Sequence, residues 1–199
     1  MGETFPTTVN GPGKSYMIHL QGCNLGCKQC FNPESWSFKI KKNVNTEELA
    51  DRIIAHAPDS LTISGGEPFL QSAPLLHFLK YLHGGDPNNC PFPRGVLIYS
   101  GFYEEELIKM TEYQEILQYV DVIVSGRFDV SKRVYDSLIS SSNQNLVWGK
   151  RKLIKEEDVC NQSYEIIVEE TGLKLTGFPH EWNKEIIKDL KLVGVEIKN

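Results

Sequence analysis

Cys23, Cys27 and Cys30 fall in the stretch Gly22–Asn32 with the spacing C-x3-C-x2-C. Three thiolates on one short loop can hold a metal centre. A closed structural zinc site takes four protein ligands, as separated C-x2-C pairs or with histidines at fixed distances, and no second pair follows here. Iron-sulfur clusters are commonly held by four thiolates, so three would leave one iron of a four-iron, four-sulfur cluster open to another molecule. The plainer alternatives are a zinc loop completed by His19, or simple reduced thiols.

Such a loop needs strands to position it. Tyr16–Leu20 is apolar and β-prone and predicts a strand ending where the cysteine loop begins, with a turn signal at Gly11-Pro-Gly13. Thr46 is the expected N-cap of a helix over Thr46–Ala57, with Glu47 and Glu48 in its first turn, Leu49, Ile53 and Ile54 on one face, and Pro58 as its stop. Leu61–Ser64 predicts a buried strand that runs straight into Gly65-Gly-Glu-Pro68, a tetrapeptide that alone fits an ordinary tight turn as well as a functional loop. A helix follows over Ala73–His83, then an irregular Gly84–Arg94 link, a strand over Gly95–Ser100, a helix over Glu104–Tyr119 and a strand over Asp121–Ser125. Strands alternating with helices in this way build parallel βαβ units, which puts the chain in the α/β class with a parallel sheet. Residues 127–145 read as a polar loop. Tyr164–Glu169 and Leu173–Thr176 form a hairpin candidate across Thr171-Gly172, and a Trp182–Leu192 helix and a short Val195–Ile197 end close the chain.

A length of 199 residues with 40% hydrophobic content suits one domain with a real core. The net charge of -5 gives no broad basic surface for nucleic acid or an anionic membrane. No apolar run approaches about 18 residues and the N-terminus has no signal-like pattern, so the expectation is a soluble cytoplasmic protein. Cys90 and Cys160 lie far apart and read as free thiols, not as a disulfide framework.

Cys23, Cys27 and Cys30 after one strand, and Gly65-Gly-Glu-Pro68 after the next, resemble the radical S-adenosylmethionine superfamily. Within it the chain is most similar to the activating proteins of anaerobic ribonucleotide reductase, a short glycyl-radical-activase type. The likeness rests on Asn10-Gly-Pro-Gly13, Gln21-Gly-Cys23, Phe31-Asn-Pro33, Asp121 to Phe128 and Ser141-Ser-Asn-Gln144, over roughly positions 9–145. Many members carry an aromatic just before the third cysteine; here Gln29 holds that place and Phe31 follows the cysteine.

The resemblance implies an open, partial (β/α)6-type barrel in a single domain 1–199, with a core over about 9–145 and a short C-terminal α+β extension over about 146–199. It implies a 4Fe-4S cluster on Cys23, Cys27 and Cys30, with S-adenosylmethionine on the open iron. Gly65, Gly66 and Glu67 would meet the methionine amino group, Ser125 the ribose or carboxylate, and Phe31, Asn143 and Gln144 would lie near the cofactor. The implied activity is reductive cleavage of S-adenosylmethionine to a 5′-deoxyadenosyl radical that abstracts hydrogen from a glycine of a partner enzyme. A flavodoxin- or ferredoxin-type protein would supply the electron, and neither nucleic acid nor membrane is implied. One rival is a radical enzyme that matures a peptide or a nucleotide-like small molecule. Another is a non-catalytic iron-sulfur electron carrier or regulatory module, against which Gly65-Gly-Glu67 argues.

Several residues carry two readings. Trp36 and Phe38 cover the cluster loop or are core aromatics. Lys39-Ile-Lys-Lys42 recruits an acidic electron donor or is a solvated charged stretch. Ser140–Gln144 lines the cofactor or is a plain loop, while Trp148 and Trp182 pack internally or touch a partner.

Overall fold

The computed structural model describes residues 2–40, 43–135, 137–155, 157–158, 164–169, 172–177, 188 and 197–198. The expected Trp182–Leu192 helix, Cys160, Lys41 and Lys42 lie outside the described residues, apart from the helical Lys188.

Six strands form one sheet in sequence order: β1 (Gly2–Thr7), β2 (Ser15–Leu20), β3 (Ser60–Gly65), β4 (Val96–Ser100), β5 (Val122–Ser125) and β6 (Asn145–Trp148). β2 to β5 are parallel, as the βα alternation predicts. The two edge strands are antiparallel and were not expected. β1 contains Pro6, which a sheet tolerates at an edge because the missing N–H faces no partner there. Its register with β2 shifts between Thr4 and Thr7. β6 is short, with only Val147 buried in a polar context, so no alternation marked it. The parallel βα repeat therefore runs through four strands.

The helices α1 (Thr46–Ala55), α2 (Ser72–Leu82), α3 (Glu104–Leu107) and α4 (Tyr113–Tyr119) connect these strands. Side chains alternate across the sheet. Ile63, Ile98 and Ile123 join Ile53, Leu79 and Ile116 of the helices in the larger core, while Leu97, Val122 and Val124 point the other way and meet Leu138 and Ile154.

α1 differs from expectation at both ends. Its cap is Asn45, whose Oδ1 accepts from Glu47 N (2.8 Å) and Glu48 N (3.1 Å), while the hydroxyl of Thr46 faces His77 Nδ1 at 3.1 Å. It stops at Ala55, and Ala57 takes φ 46 before Pro58. The helix expected over Glu104–Tyr119 is broken into α3 and α4. Leu107 and Ile116 are both fully buried, yet nine residues along a straight helix turns the face by about 180°. One unbroken helix could not bury both.

The end of the chain forms a second, three-stranded sheet of β7 (Tyr164–Glu169), β8 (Gly172–Gly177) and β9 (Ile197–Lys198). The expected hairpin is present, with Tyr164 opposite Gly177 and Glu169 opposite Gly172. Glu165 ties it to the core by accepting from Thr7 Oγ1 (2.7 Å), Thr8 N (2.8 Å) and Thr8 Oγ1 (2.5 Å). Asn10 Nδ2 adds a bond to Thr176 Oγ1 at 2.7 Å. These contacts lie in the β1–β2 connection, at the edge where the parallel strands begin. Asn10-Gly-Pro-Gly13 is therefore a packing motif: a side chain at Gly11 would meet Thr62 Oγ1 at 2.5 Å.

Candidate cluster and cofactor site

The carboxyl ends of β2, β3, β4 and β5 lead into the cysteine loop, Gly65–Glu67, Gly101–Tyr103 and Gly126–Phe128. In open α/β sheets this is the edge where loops converge on ligands.

The first two loops are stitched together through their backbones. Gly66 N donates to Leu20 O and Glu67 N to Gly22 O, both at 2.8 Å. This close approach explains the glycines. A Cβ at Gly65, where φ is +105°, would sit 2.4 Å from Leu20 N, and one at Gly66 would sit 2.4 Å from Gly22 O. Sequence reasoning assigned the glycine pair to contact with a cofactor; the structure shows that the neighbouring loop already requires it.

Cys23, Cys27 and Cys30 are all partly exposed. Cys23 N donates to Trp36 O (3.2 Å) and Cys30 N to Cys27 O (3.1 Å), so the loop is shaped by its own backbone. Burial pushes the Cys23 thiol up, against backbone N–H bonds from Leu25 and Gly26, and the Glu67 and Cys30 charges push the same way as burial. Burial likewise raises Cys27, opposed by the Phe128 backbone N–H and by Arg127. The thiols thus sense one another and the β5 loop. Among the described residues no three His, Cys, Asp or Glu side chains gather around a single metal ion, as a zinc site would need. A cluster instead spreads its thiolates over several irons.

Glu67 is only 1% exposed and turns inward. Its Oε1 accepts from Phe69 N and Ser100 Oγ, both at 2.9 Å, and its Oε2 from Gly101 N at 2.8 Å. Burial pushes its pKa up to about 7 despite these three donors. The side chain thus caps the turn Pro68–Gln71 and locks the end of β3 to the end of β4. What this loop presents outward is backbone.

Ser125 is also 1% exposed and donates its hydroxyl to Phe102 O at 2.9 Å, leaving only lone pairs to offer. Gln144 is engaged at both ends of its amide, accepting from Ser140 N (2.8 Å) and Ser141 N (3.1 Å) and donating to Gly126 O (2.9 Å). Asn143 Nδ2 donates to Arg127 O at 2.8 Å, whereas its Oδ1 is buried with no protein donor. The loop Ser140–Gln144 is therefore built against Gly126 and Arg127. Phe31 packs edge-on against Phe128, with ring centroids 5.2 Å apart, and carries the guanidinium of Arg133 over its face at 5.1 Å.

Two partners escaped the sequence reading. Arg127 pairs bidentately with Glu106 (Nη2 to Oε1, 2.9 Å) and lies 4.8 Å over the Tyr103 ring. Ser100 supplies a donor to Glu67. The first lies inside the Asp121–Phe128 stretch, but nothing local marked its pairing with Glu106, and nothing local marked the second. Of the two-way aromatics, Phe38 is not a core residue: it is 64% exposed. Among the described residues no helix is long and apolar enough to cross a membrane.

A family model described as a 4Fe-4S single cluster domain matches residues 9–147. The chain is similar to the anaerobic ribonucleoside-triphosphate reductase-activating protein of Pasteurella multocida, 29% identical over 155 residues covering 73% of this chain and 89% of the relative. It is 32% identical to the protein of that name from Vibrio cholerae, over 60% of this chain and 77% of the relative. It is 26% identical to the pyruvate formate-lyase-activating enzyme of Staphylococcus epidermidis over 73% of this chain, spanning 59% of that relative.

Proposed function

Because the chain belongs to the 4Fe-4S single cluster domain family of radical S-adenosylmethionine activating enzymes, we propose that it activates a glycyl-radical enzyme of the anaerobic ribonucleotide reductase kind. The observation that carries this reading is the join between the cysteine loop and Gly65-Gly-Glu67, made by Glu67 N to Gly22 O and Gly66 N to Leu20 O. It holds three thiols and an outward-facing backbone stretch in a fixed relation at the ligand-binding edge of the sheet.

The residues fit the cofactor pair. Cys23, Cys27 and Cys30 would hold the cluster, and its open iron would take the amino and carboxylate groups of S-adenosylmethionine. When bound and reduced by one electron, this pair supplies a 5′-deoxyadenosyl radical for hydrogen abstraction. The chain's own share is positional. The backbone of Gly65, Gly66 and Glu67 would meet the methionine end, and the buried, unmatched Asn143 Oδ1 offers an acceptor beside the β5 loop. Ser125 would contribute an acceptor, Phe31 an aromatic face, and Gln144 would hold the loop that carries Asn143. We read the mostly parallel six-stranded sheet as part of an open, partial (β/α)6-type barrel, and the chain 1–199 as one domain with a C-terminal extension.

The described part of the extension docks where the parallel strands begin, away from the cysteine loop. It therefore does not wall off the cofactor edge, which favours a protein substrate presenting a loop over an enclosed small molecule. A flavodoxin- or ferredoxin-type protein would supply the electron. The test is anaerobic reconstitution with iron and sulfide, then dithionite and S-adenosylmethionine, with and without a partner reductase. The expected products are 5′-deoxyadenosine and a glycyl radical seen by electron paramagnetic resonance. Cys23→Ala, Cys27→Ala and Cys30→Ala should each lose normal cluster loading, while Cys90→Ala and Cys160→Ala retain it. A cluster that depends on Cys90, or one that binds S-adenosylmethionine without ever cleaving it, would refute the reading.

A further inference from the structure

We propose that the exposed segment Phe38–Ile40 is the docking face for an acidic one-electron carrier protein; this rests on the cluster assignment above and adds to it the place where the electron enters. Phe38 is 64% and Ile40 74% exposed, and they flank the exposed Lys39. Two large apolar side chains displayed beside one another around a cation make a local apolar patch of the kind that interaction sites present. The backbone that displays them is fixed. Gln21 Nε2 donates to Ser37 O (3.0 Å) and Lys39 O (3.1 Å), and Gln71 Nε2 donates to Gln21 O (2.9 Å).

Charge indicates the kind of partner. Residues 21–44 hold four lysines and a single carboxylate, Glu34, in a chain of net charge -5. Such a local reversal of sign steers an acidic protein to one place on an otherwise repelling molecule. Behind the segment lies a cavity of about 440 Å³ lined by Ile18, Leu20, Leu49 and Phe78 together with Phe38 and Ile40. It has room for an apolar side chain of the carrier, the short-range contact that a small redox interface adds to steering.

The face also leads to the first thiol. The Phe38 ring lies over Gly22, so closely that a Cβ there would be 3.0 Å from two ring carbons. Gly22 adjoins Cys23, whose N–H is bonded to Trp36 O, two residues before Phe38. Among the described residues none beyond Phe78 lines the cavity, so a carrier seated here leaves the loops after β4 and β5 to the substrate. The step is a one-electron transfer: the carrier is oxidised by one electron, the cluster is reduced by one, and no bond is made or broken.

The experiment is stopped-flow reduction of the anaerobically reconstituted full chain by hydroquinone flavodoxin, with dithionite as the small-molecule control. Wild type is compared with Lys39→Glu and Phe38→Ala. At low ionic strength Lys39→Glu should slow reduction by flavodoxin about fivefold and converge on wild type as salt screens the charge. Phe38→Ala should slow it at every salt concentration, and dithionite should reduce all three proteins alike. Equal flavodoxin rates in the three proteins, or a loss that dithionite shares, overturn the docking face while leaving the cluster assignment standing. A wild-type chain that loads no cluster overturns that assignment, and this face with it.

Discussion

The Glu67 carboxylate sits where water does not reach, held by Phe69 N–H, Ser100 Oγ–H and Gly101 N–H. Glu67→Ala would strand three donors, two of them buried, and should cost about 3 kcal/mol in urea unfolding, while Glu67→Gln, which keeps an acceptor, should cost less than half of that. Its pKa of about 7 in the folded chain, against an ordinary 4.5, sets a direction with pH. The stability it contributes is complete below pH 4.5 and is lost as pH rises to 7. His83 has the opposite sign. It is buried and accepts at Nε2 from Arg151 Nη1 while Nδ1 donates to Leu79 O, and burial lowers its pKa from 6.5 to about 4. Its contribution is complete above pH 6.5 and is lost as pH falls to 4. The two slopes oppose each other between pH 4.5 and 6.5. Unfolding of the metal-free Glu67→Gln chain across that window should reveal the loss toward acid alone; an unchanged profile would mean that Glu67 does not titrate there.

At the scale of elements, one edge of the sheet is fastened by two different means. At the edge where the parallel strands begin, the buried Asp121 carboxylate accepts from Val96 N (2.8 Å), Leu153 N (2.9 Å) and Arg151 Nη2 (2.8 Å). Removing one partner of a buried pair leaves the other charge uncompensated, so Asp121→Asn should lower stability by about 3 kcal/mol in denaturant titrations. Glu165→Ala should free the β7–β8 hairpin, raising its amide exchange about tenfold through loss of about 1–2 kcal/mol of bonding, with iron content unchanged. A fall in iron content would instead make the extension part of the site. These elements were not equally legible. β2 to β5, α1 and α2 follow from apolar runs of the right period between turn residues. β1 and β6 did not, since Pro6 and a polar four-residue stretch hide edge strands whose partners lie elsewhere in the chain. The break between α3 and α4 became visible only once burial showed Leu107 and Ile116 facing one core. The cysteines and Gly65-Gly-Glu67 were legible because their spacing is local. The inward turn of Glu67 was not, because its acceptor role depends on Ser100 and Gly101, more than thirty residues away.

For the whole molecule, both hydrophobic cores and all the pairing of the six-stranded sheet are built without Cys23, Cys27 or Cys30. The loop that carries them is held by hydrogen bonds to Ser35, Trp36 and Glu67. This differs from small metal domains, in which ion binding drives folding. A chain stripped with chelator under anaerobic conditions should keep its far-ultraviolet circular dichroism and a cooperative melt, with a midpoint shifted by only a few degrees, about 1 kcal/mol of stability for a domain of this size. Collapse to an unfolded chain would show that the cysteine loop is part of the scaffold after all. The join between Gly22 and Glu67 therefore bears on biogenesis as well as chemistry. A polypeptide can leave the ribosome, finish folding and wait for iron, and after oxygen destroys its inorganic part it can be refilled instead of being degraded and made again.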